Sequence, residues 1–345
     1  MNRSNAIRPR RVQLSLAFVF CILFFGSTLI ATAASSRRSL AEKPFPIGKT
    51  TTLREESAQY TIEGRQVIKK NVKIVSLRQM QLTGIGENPT LVVEGVLDFR
   101  AVTGGWARIS NLTIELAPSA KELVLMDVEL GRGGHVRPSD QGPADAKVNI
   151  NGSKVLSGGS IELLMDAGKV AVMGTLATGP ITIRGAMRSE TKGSNVEVLL
   201  VSNGGAANGI RGGLIIAGVK SATLRLNDFA GERITLENIE KLDFTANNVR
   251  CKNLEFRHDK GGRLPKANIE ANDFRCRTIM FLAPSKSKTQ VERLSLSNNW
   301  FGGLKDEDAV REKLIQDSET HPESGVLVRI KKIAPVALGL GGRLE

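Results

Sequence analysis

Cysteine, histidine, tryptophan and tyrosine are scarce in this chain of 345 residues, which holds three cysteines, three histidines, two tryptophans and one tyrosine beside twelve phenylalanines. So few thiols and imidazoles exclude a disulfide-rich scaffold, and their spacing fits no zinc site. The lack of stacking rings argues against binding of single-stranded nucleic acid and, more weakly, against sugar processing. Chemistry must therefore be sought among carboxylates, amides and cations.

Charge is absent from a long stretch near the N-terminus. Residues 1–33 contain four arginines and no acidic residue, and no charged residue occurs over residues 12–36. Ala31-Thr32-Ala33 fits a signal-peptidase site, so residues 1–33 are predicted to be a signal peptide. The alternative is an uncleaved anchor over residues 12–36, because about 20 apolar residues span a bilayer. Either alternative predicts a protein body outside the cytosol, secreted or periplasmic.

A fifteen-residue unit recurs without a gap in the second half of the chain. The copies are Ala222–Leu236, Leu242–Phe256 and Ala267–Phe281, and Leu294–Gly303 repeats the front of the unit. A degraded earlier copy contains Asn203. A unit this short cannot bury a core alone and must stack on its neighbours.

Each copy reads as a strand, a corner and a second strand. Apolar residues alternate, which is the strand period. An asparagine follows the first strand and an apolar residue comes two positions later. Asparagine suits a sharp corner because it tolerates left-handed backbone and bonds to nearby main chain. Stacked about 4.8 Å apart, these side chains are predicted to form an amide ladder. The corner asparagines are Asn227, Asn247, Asn272 and Asn299.

These features predict an all-β fold, a right-handed single-stranded parallel β-helix over residues 58–303. Residues 34–57 are polar and contain two prolines, which predicts a linker. Residues 304–345 are predicted to form a C-terminal cap, with a helix over Asp306–Ser318 and a strand over Gly325–Ile330. The main alternative, a leucine-rich repeat, is disfavoured because its L-x-x-L-x-L frame does not recur.

The asparagine corners, apolar plugs and rung length over Val198–Gly303 resemble the pectin-lyase-like superfamily of right-handed parallel β-helices. The resemblance implies polysaccharide lyases, polygalacturonase-type hydrolases, uronate epimerases or non-enzymatic surface proteins, and fold alone cannot choose among them. The hydrolase series N-T-D, D-D, G-H-G, R-I-K is met only by Arg329-Ile330-Lys331. The lyase segment R-x-P-x-x-R is met only in its first half, at Arg263-Leu264-Pro265.

Two carboxylates and one arginine are the candidate catalytic residues. Asp228 and Asp273 follow corner asparagines two rungs apart, which strand spacing puts at about 9.6 Å. Inverting glycosidases hold their acid and base about 6.5–9.5 Å apart. Arg263 is the residue that the lyase resemblance points to as a base. The alternative is that all three are ordinary turn residues.

A column of cations is the candidate binding surface. The repeat stacks Arg250 on Arg275 and Lys252 on Arg277, a spacing that could bind a polymer of carboxylates or phosphates. Trp300, beside a corner asparagine, could serve as a platform for a sugar ring. The alternative is a set of solvated cations on an external turn.

The repeat also stacks Cys251 on Cys276, within the Cα separation of a disulfide. Their parallel Cβ directions favour two free thiols that pack as small apolar groups, and both states stay open. No metal site or cofactor is predicted. Acidic residues that could bind calcium, without forming a recognised motif, are Asp127, Glu129, Asp140 and Asp145.

The formal net charge is +13, and loss of the four leader arginines would lower it to +9. A positive surface outside the cytosol favours anionic partners. We therefore expect a non-catalytic binding or structural module for anionic polysaccharide or another envelope polymer, without nucleic acid, and with membrane contact only through an uncleaved leader. The alternatives are a diverged lyase, hydrolase or epimerase, and a surface protein that contacts other proteins. The oligomeric state stays open.

Overall fold

The computed structural model describes residues 42–100, 105–186, 194–203, 209–258, 266–283, 292–321, 324 and 326–337. They form an all-β parallel β-solenoid with one short helix near the C-terminus, so the fold class predicted from the repeat is confirmed. Each strand pairs in parallel with strands one turn before and after it, as Ser221–Arg225 does with Lys241–Thr245. Residues distant in the chain thereby become axial neighbours.

Each turn places strands on three faces. Face 1 is one sheet; faces 2 and 3 are the two halves of a second sheet. The first corner joins face 1 to face 2, and the second corner joins face 2 to face 3. The strands of face 1 are Thr51–Leu53, Lys73–Ser76, Val96–Arg100, Glu122–Met126, Ala146–Asn151, Ala167–Met173, Asn195–Val201, Ser221–Arg225, Lys241–Thr245, Lys266–Glu270, Glu292–Phe301 and Val326–Ile333. The last residues of Glu292–Phe301 pass the first corner and pair on face 2.

Some strands of the second sheet bend through the second corner and lie on both faces, and others end at it. Those on both faces are Ala58–Ile68, Met80–Val93, Asp228–Glu237 and Asn248–Arg257. Those of face 2 alone are Lys43–Pro44, Ala107–Ser110, Val128–Leu130, Lys154–Val155, Leu176–Ala177, Gly209–Ile210 and Asp273–Phe274. Those of face 3 alone are Leu112–Leu116, Gly134–Pro138, Ser160–Met165, Ile181–Gly185, Leu214–Ala217, Thr278–Leu282 and Ile315–Gln316.

The core is a set of apolar columns that run along the solenoid axis. Phe274 stacks on Phe301 with ring centroids 5.6 Å apart, and Phe256 stacks on Phe281 at 5.0 Å. Phe229, the apolar residue two positions after Asn227, is completely buried. Burying one such side chain stabilises the fold by about 1.5–3 kcal/mol. Exact register between rungs is therefore held by side-chain stacking as well as by the ladders.

The solenoid begins before the predicted boundary at residue 58. Lys43–Pro44 pairs with Ala58–Ile68, and Thr51–Leu53 pairs with Lys73–Ser76, so this part of the expected linker belongs to the first turns. Phe45 explains the difference, since its buried ring packs against Tyr60 with centroids 5.6 Å apart. The predicted leader, residues 1–33, lies outside the described residues.

The C-terminal region differs from the predicted cap in its boundaries. The helix, α1, spans Glu307–Leu314 and buries Val310; the Asp306 carboxylate caps it by accepting from the Ala309 N–H at 3.1 Å. It ends before the predicted Ser318 because Ile315 begins a strand that extends face 3. Val326–Ile333 then pairs with Glu292–Phe301, so face 1 continues beyond residue 303.

Candidate functional site

A ladder of buried asparagine side chains runs along the first corner. Nδ2 of Asn227 donates to Oδ1 of Asn247 at 2.9 Å. The same contact joins Asn247 to Asn272 and Asn272 to Asn299, each at 3.0 Å. Asn203 adds a rung at the start, 2.9 Å from Asn227. Each Nδ2 also donates to a main-chain carbonyl of the preceding turn, so these buried amides leave no donor without a partner.

The left-handed backbone of this corner belongs to the residue before each asparagine. φ is 56° at Leu226, 53° at Ala246 and 55° at Ala271. The expectation that the asparagine itself would use its tolerance of this conformation is therefore wrong. Its amide instead links adjacent rungs, and the preceding residue takes the strained backbone at a cost of about 1–2 kcal/mol.

The predicted arginine column lies on face 2, but acidic residues neutralise it. Arg250 Nη2 donates to both Asp228 carboxylate oxygens, at 2.9 and 2.6 Å. Arg275 donates to Asp273 at 3.3 and 3.2 Å. Lys252 lies 3.2 Å from Glu232. The hypothesis of a free cation row is thus weakened for these three residues, while Arg277 stays exposed and makes no ion pair within the described residues.

The two candidate catalytic carboxylates, Asp228 and Asp273, are the acidic partners in these ion pairs. Asp228 and Asp273 are 6% and 4% exposed, and each faces its arginine. Burial raises the pKa of Asp273, and the hydrogen bond from Arg275 partly offsets that shift. Asn248, between them in the column, donates to Asp228 at 3.1 Å. The third candidate, Arg263, lies outside the described residues.

Trp300 follows Asp273 in this column, and its ring is partly exposed. The Arg275 guanidinium lies over the ring, 5.0 Å from its centroid. This cation–π contact occupies one ring face and leaves only the other available to a sugar.

The two stacked cysteines are free thiols within the core. Cys251 Sγ and Cys276 Sγ are 3.4 Å apart, whereas a disulfide bond is about 2.05 Å long. Contact with Cys251 and burial both raise the pKa of the Cys276 thiol, which stays protonated. This pair therefore acts as apolar packing in the structure.

Face 1 carries a second row of cations, which we call the basic strip: Lys241, Lys266 and Arg293. Lys241 pairs in register with Lys266. Lys266 and Arg293 each stand three residues before the paired Ile269 and Leu296, so the column continues to Arg293. All three side chains are exposed, and within the part of the chain that the structure describes none of them makes an ion pair.

The basic strip has no carboxylate in its own part of the column, and the carboxylate of the next column is already bonded. The exposed Glu240, which precedes Lys241 in the chain, makes no ion pair with it. The column runs from Ser221 through the strip to Leu327 without an acidic residue. In the next column, Asp243 accepts from Arg225 Nε at 2.7 Å and from Asn268 Nδ2 at 3.3 Å. The positive charge of the strip therefore faces solvent.

The basic strip was not among the residues predicted from the sequence, although the sequence contains a signal for it. Each of its residues stands immediately before the first residue of a repeat copy, at Leu242, Ala267 and Leu294. Extending the alignment of the copies by one residue toward the N-terminus would have shown a column of cations.

Metal ligands do not cluster in the described ranges, where no group of three or more histidine, cysteine or acidic side chains could hold an ion. Glu129, one of the proposed calcium ligands, instead lies 3.4 Å from Arg108. Calcium binding by Asp127, Asp140 and Asp145 stays a hypothesis. Burial raises the pKa of Asp127.

The fold and site define a basic parallel β-solenoid. No protein-family model, curated protein or solved structure matches the chain. Of the helices in the described ranges, none is long and apolar enough to cross a membrane.

Proposed function

We propose that this protein binds an anionic polysaccharide through the basic strip on face 1. The observation that carries the proposal is a row of three exposed cations, in register on successive rungs and without acidic partners among the described residues. Like charges on adjacent strands destabilise a sheet, so this row contributes nothing to folding. Binding to an anion explains its presence.

The geometry favours a polymer over an isolated anion. Successive rungs of a sheet lie about 4.8 Å apart, so the strip offers a straight row of positive groups at regular spacing. A polysaccharide with one carboxylate, sulfate or phosphate on each monomer presents a complementary row. Lysine and arginine both bind such groups through charge-assisted hydrogen bonds, and arginine adds bidentate contacts.

Export from the cytosol is part of the proposal and is supported by the leader predicted over residues 1–33. The N-terminal sequence of the protein recovered from its natural source tests it, with cleavage after Ala33 expected. A catalytic function receives no support from the described geometry, because Asp228 and Asp273 are each held by an arginine.

The test is retention on immobilised pectate, alginate and heparin, with neutral dextran as the reference, at about 0.05 M and 0.5 M salt. We expect the variant Lys241→Ala/Lys266→Ala/Arg293→Ala to bind the best polymer about tenfold or more weakly. Lys147→Ala/Lys169→Ala is the matched control, because these exposed lysines stand in the same column between Glu122 and Glu197.

Four results would overturn the proposal. Retention that persists unchanged in the triple variant, or at high salt, would mean that the basic strip is not the binding surface. Release of unsaturated or reducing ends from any polymer would establish an enzyme. Retention on none of the polymers would favour a protein partner.

A further inference from the structure

A polar cleft of about 290 Å³ lies at the second corner of the early turns, on the opposite half of the chain from the basic strip. It is built from three consecutive turns of the solenoid. Its lining residues are Gly86, Asn88, Pro89, Asn111, Leu112, Thr113, Gly133, His135 and Arg137.

One wall of the cleft is a short loop that leaves the sheet. Glu63 pairs with Ile85, but Arg65 pairs with Thr90, so residues 86–89 project from the ladder. Gly86 takes a φ of 78°, a conformation that favours glycine. The loop thereby walls off an open corner.

The opposite wall lies close to Asn111 because the last of the three turns has a glycine, Gly133, at this point. Gly133 has a φ of 69°, and a Cβ there would stand 3.1 Å from the Asn111 Cα. Asn111 itself donates from Nδ2 to the Gly84 carbonyl at 2.8 Å, which holds its amide in place. The corner is therefore pre-organised without a ligand.

His135 is held at the side of the cleft by a single hydroxyl. It pairs with Thr113 on one side and with Ser160 on the other, and its Nδ1 lies 2.8 Å from Ser160 Oγ. Burial and the nearby Arg137 lower the pKa of His135, so the ring is neutral at neutral pH. A neutral imidazole exchanges hydrogen bonds with hydroxyl groups in either direction.

Arg137 is left with an available positive charge. One neighbour in the column, Glu115, is held by Arg65 through two bonds of 2.8 and 2.6 Å. On the other side the register brings the exposed Glu162 next to Arg137, and the two make no ion pair in the structure. The Arg137 side chain is exposed and forms no ion pair with any residue that the structure describes. A guanidinium in this state recognises a planar carboxylate through two parallel hydrogen bonds.

We propose that this cleft binds one sugar-acid unit: Arg137 takes the carboxylate, while His135, Thr113 and Asn111 bond to ring hydroxyls. The lining fits such a ligand because it supplies one cation beside several neutral donors and acceptors. This site differs from the basic strip in its position and in what it recognises. It would bind the carboxylate and the hydroxyl groups of one sugar, whereas the strip would bind a row of anionic groups. The site does not depend on the proposed polymer binding.

The experiment is an NMR titration of the full protein with glucuronic acid, with glucose as the neutral reference. We expect glucuronic acid to bind about tenfold or more tightly than glucose, and Arg137→Ala to remove that difference. Arg184→Ala, another exposed arginine on face 3, is the matched control and should bind as the unmodified protein does. His135→Ala should weaken binding of both sugars, because it removes a hydroxyl contact.

The His135 ring signals give a readout that a purely structural role would not move. A bound carboxylate nearby raises the pKa of His135 toward its ordinary value, and Arg137→Ala should prevent that ligand-induced rise. Equal binding of glucose and glucuronic acid, or a preference that survives in Arg137→Ala, would overturn the proposal. The triple variant of the basic strip should bind glucuronic acid normally, so failure of one proposal is distinguishable from failure of the other.

Discussion

Two rows of cations cross the same turns of this solenoid, and their surroundings differ. On face 2, Arg250 and Arg275 lie over the buried carboxylates of Asp228 and Asp273. On face 1, the column of the basic strip has no acidic residue between Ser221 and Leu327, and the strip makes no ion pair among the described residues. The first row neutralises charges that the fold buries, whereas the second remains available to a ligand.

The difference shows that exposure and stacking of cations do not by themselves mark a binding surface. Arg250 and Arg275 are each more than 40% exposed, yet their guanidinium groups already bond to carboxylates. A buried carboxylate without a partner is costly, so these arginines stabilise the fold. Substitutions on face 2 should therefore lower stability, whereas substitutions in the basic strip on face 1 should lower binding.

The largest expected effect concerns the asparagine ladder at the first corner, which joins face 1 to face 2. Asn247→Ala removes the acceptor for the Asn227 N–H at 3.1 Å and the donor to the Leu224 carbonyl at 2.9 Å. Buried groups left without partners cost about 1–3 kcal/mol each, so we expect about 2–6 kcal/mol of lost stability. Urea unfolding followed by circular dichroism measures it.

Asn268→Ala is the matched control, since this exposed asparagine on face 1 makes one long bond to Asp243, at 3.3 Å. It should change stability by no more than about 0.5 kcal/mol. Equal losses for the two variants would show that the ladder adds little beyond turn formation.

An intermediate effect is expected for the ion pair of face 2. Arg250→Ala leaves the Asp228 carboxylate buried without its cation, and we expect about 1 kcal/mol of destabilisation because the arginine is partly screened by water. Adding Asp228→Asn should restore part of that loss, since the buried charge is removed as well. Thermal unfolding of both single variants and the double variant gives the coupling energy. Losses that simply add would mean that the pair is not coupled, and that the two rows do not differ as proposed.

The repeat predicted which residues would stack, because stacking follows from register alone. The asparagine ladder, the paired cysteines and the Phe274–Phe301 stack all lie in equivalent positions of successive copies. Each contact joins like to like, so one aligned unit is enough to anticipate it.

Contacts between non-equivalent positions of the repeat could not be predicted from register. Arg250 pairs with Ala230 on the adjacent strand, but its side chain reaches diagonally to Asp228, which stands two residues before Ala230. The His135 cleft depends on a loop whose length does not repeat, over residues 86–89. Side-chain direction and irregular insertions decide both, and an alignment of repeat units contains neither.

The smallest expected effect tests the basic strip directly. Lys266→Ala removes a cation from between Lys241 and Arg293, so we expect a slight gain in stability, a few tenths of a kcal/mol at low salt. The gain should vanish at about 1 M salt, where screening reaches to about 3 Å. Lys169→Ala is the control: its ion pair with Glu197, at 3.3 Å, should make that substitution neutral or slightly destabilising. Differential scanning calorimetry at the two salt concentrations resolves the sign. If Lys266→Ala instead lowers stability, the strip already has an anionic partner within the protein, and its charge is not free to bind a polysaccharide.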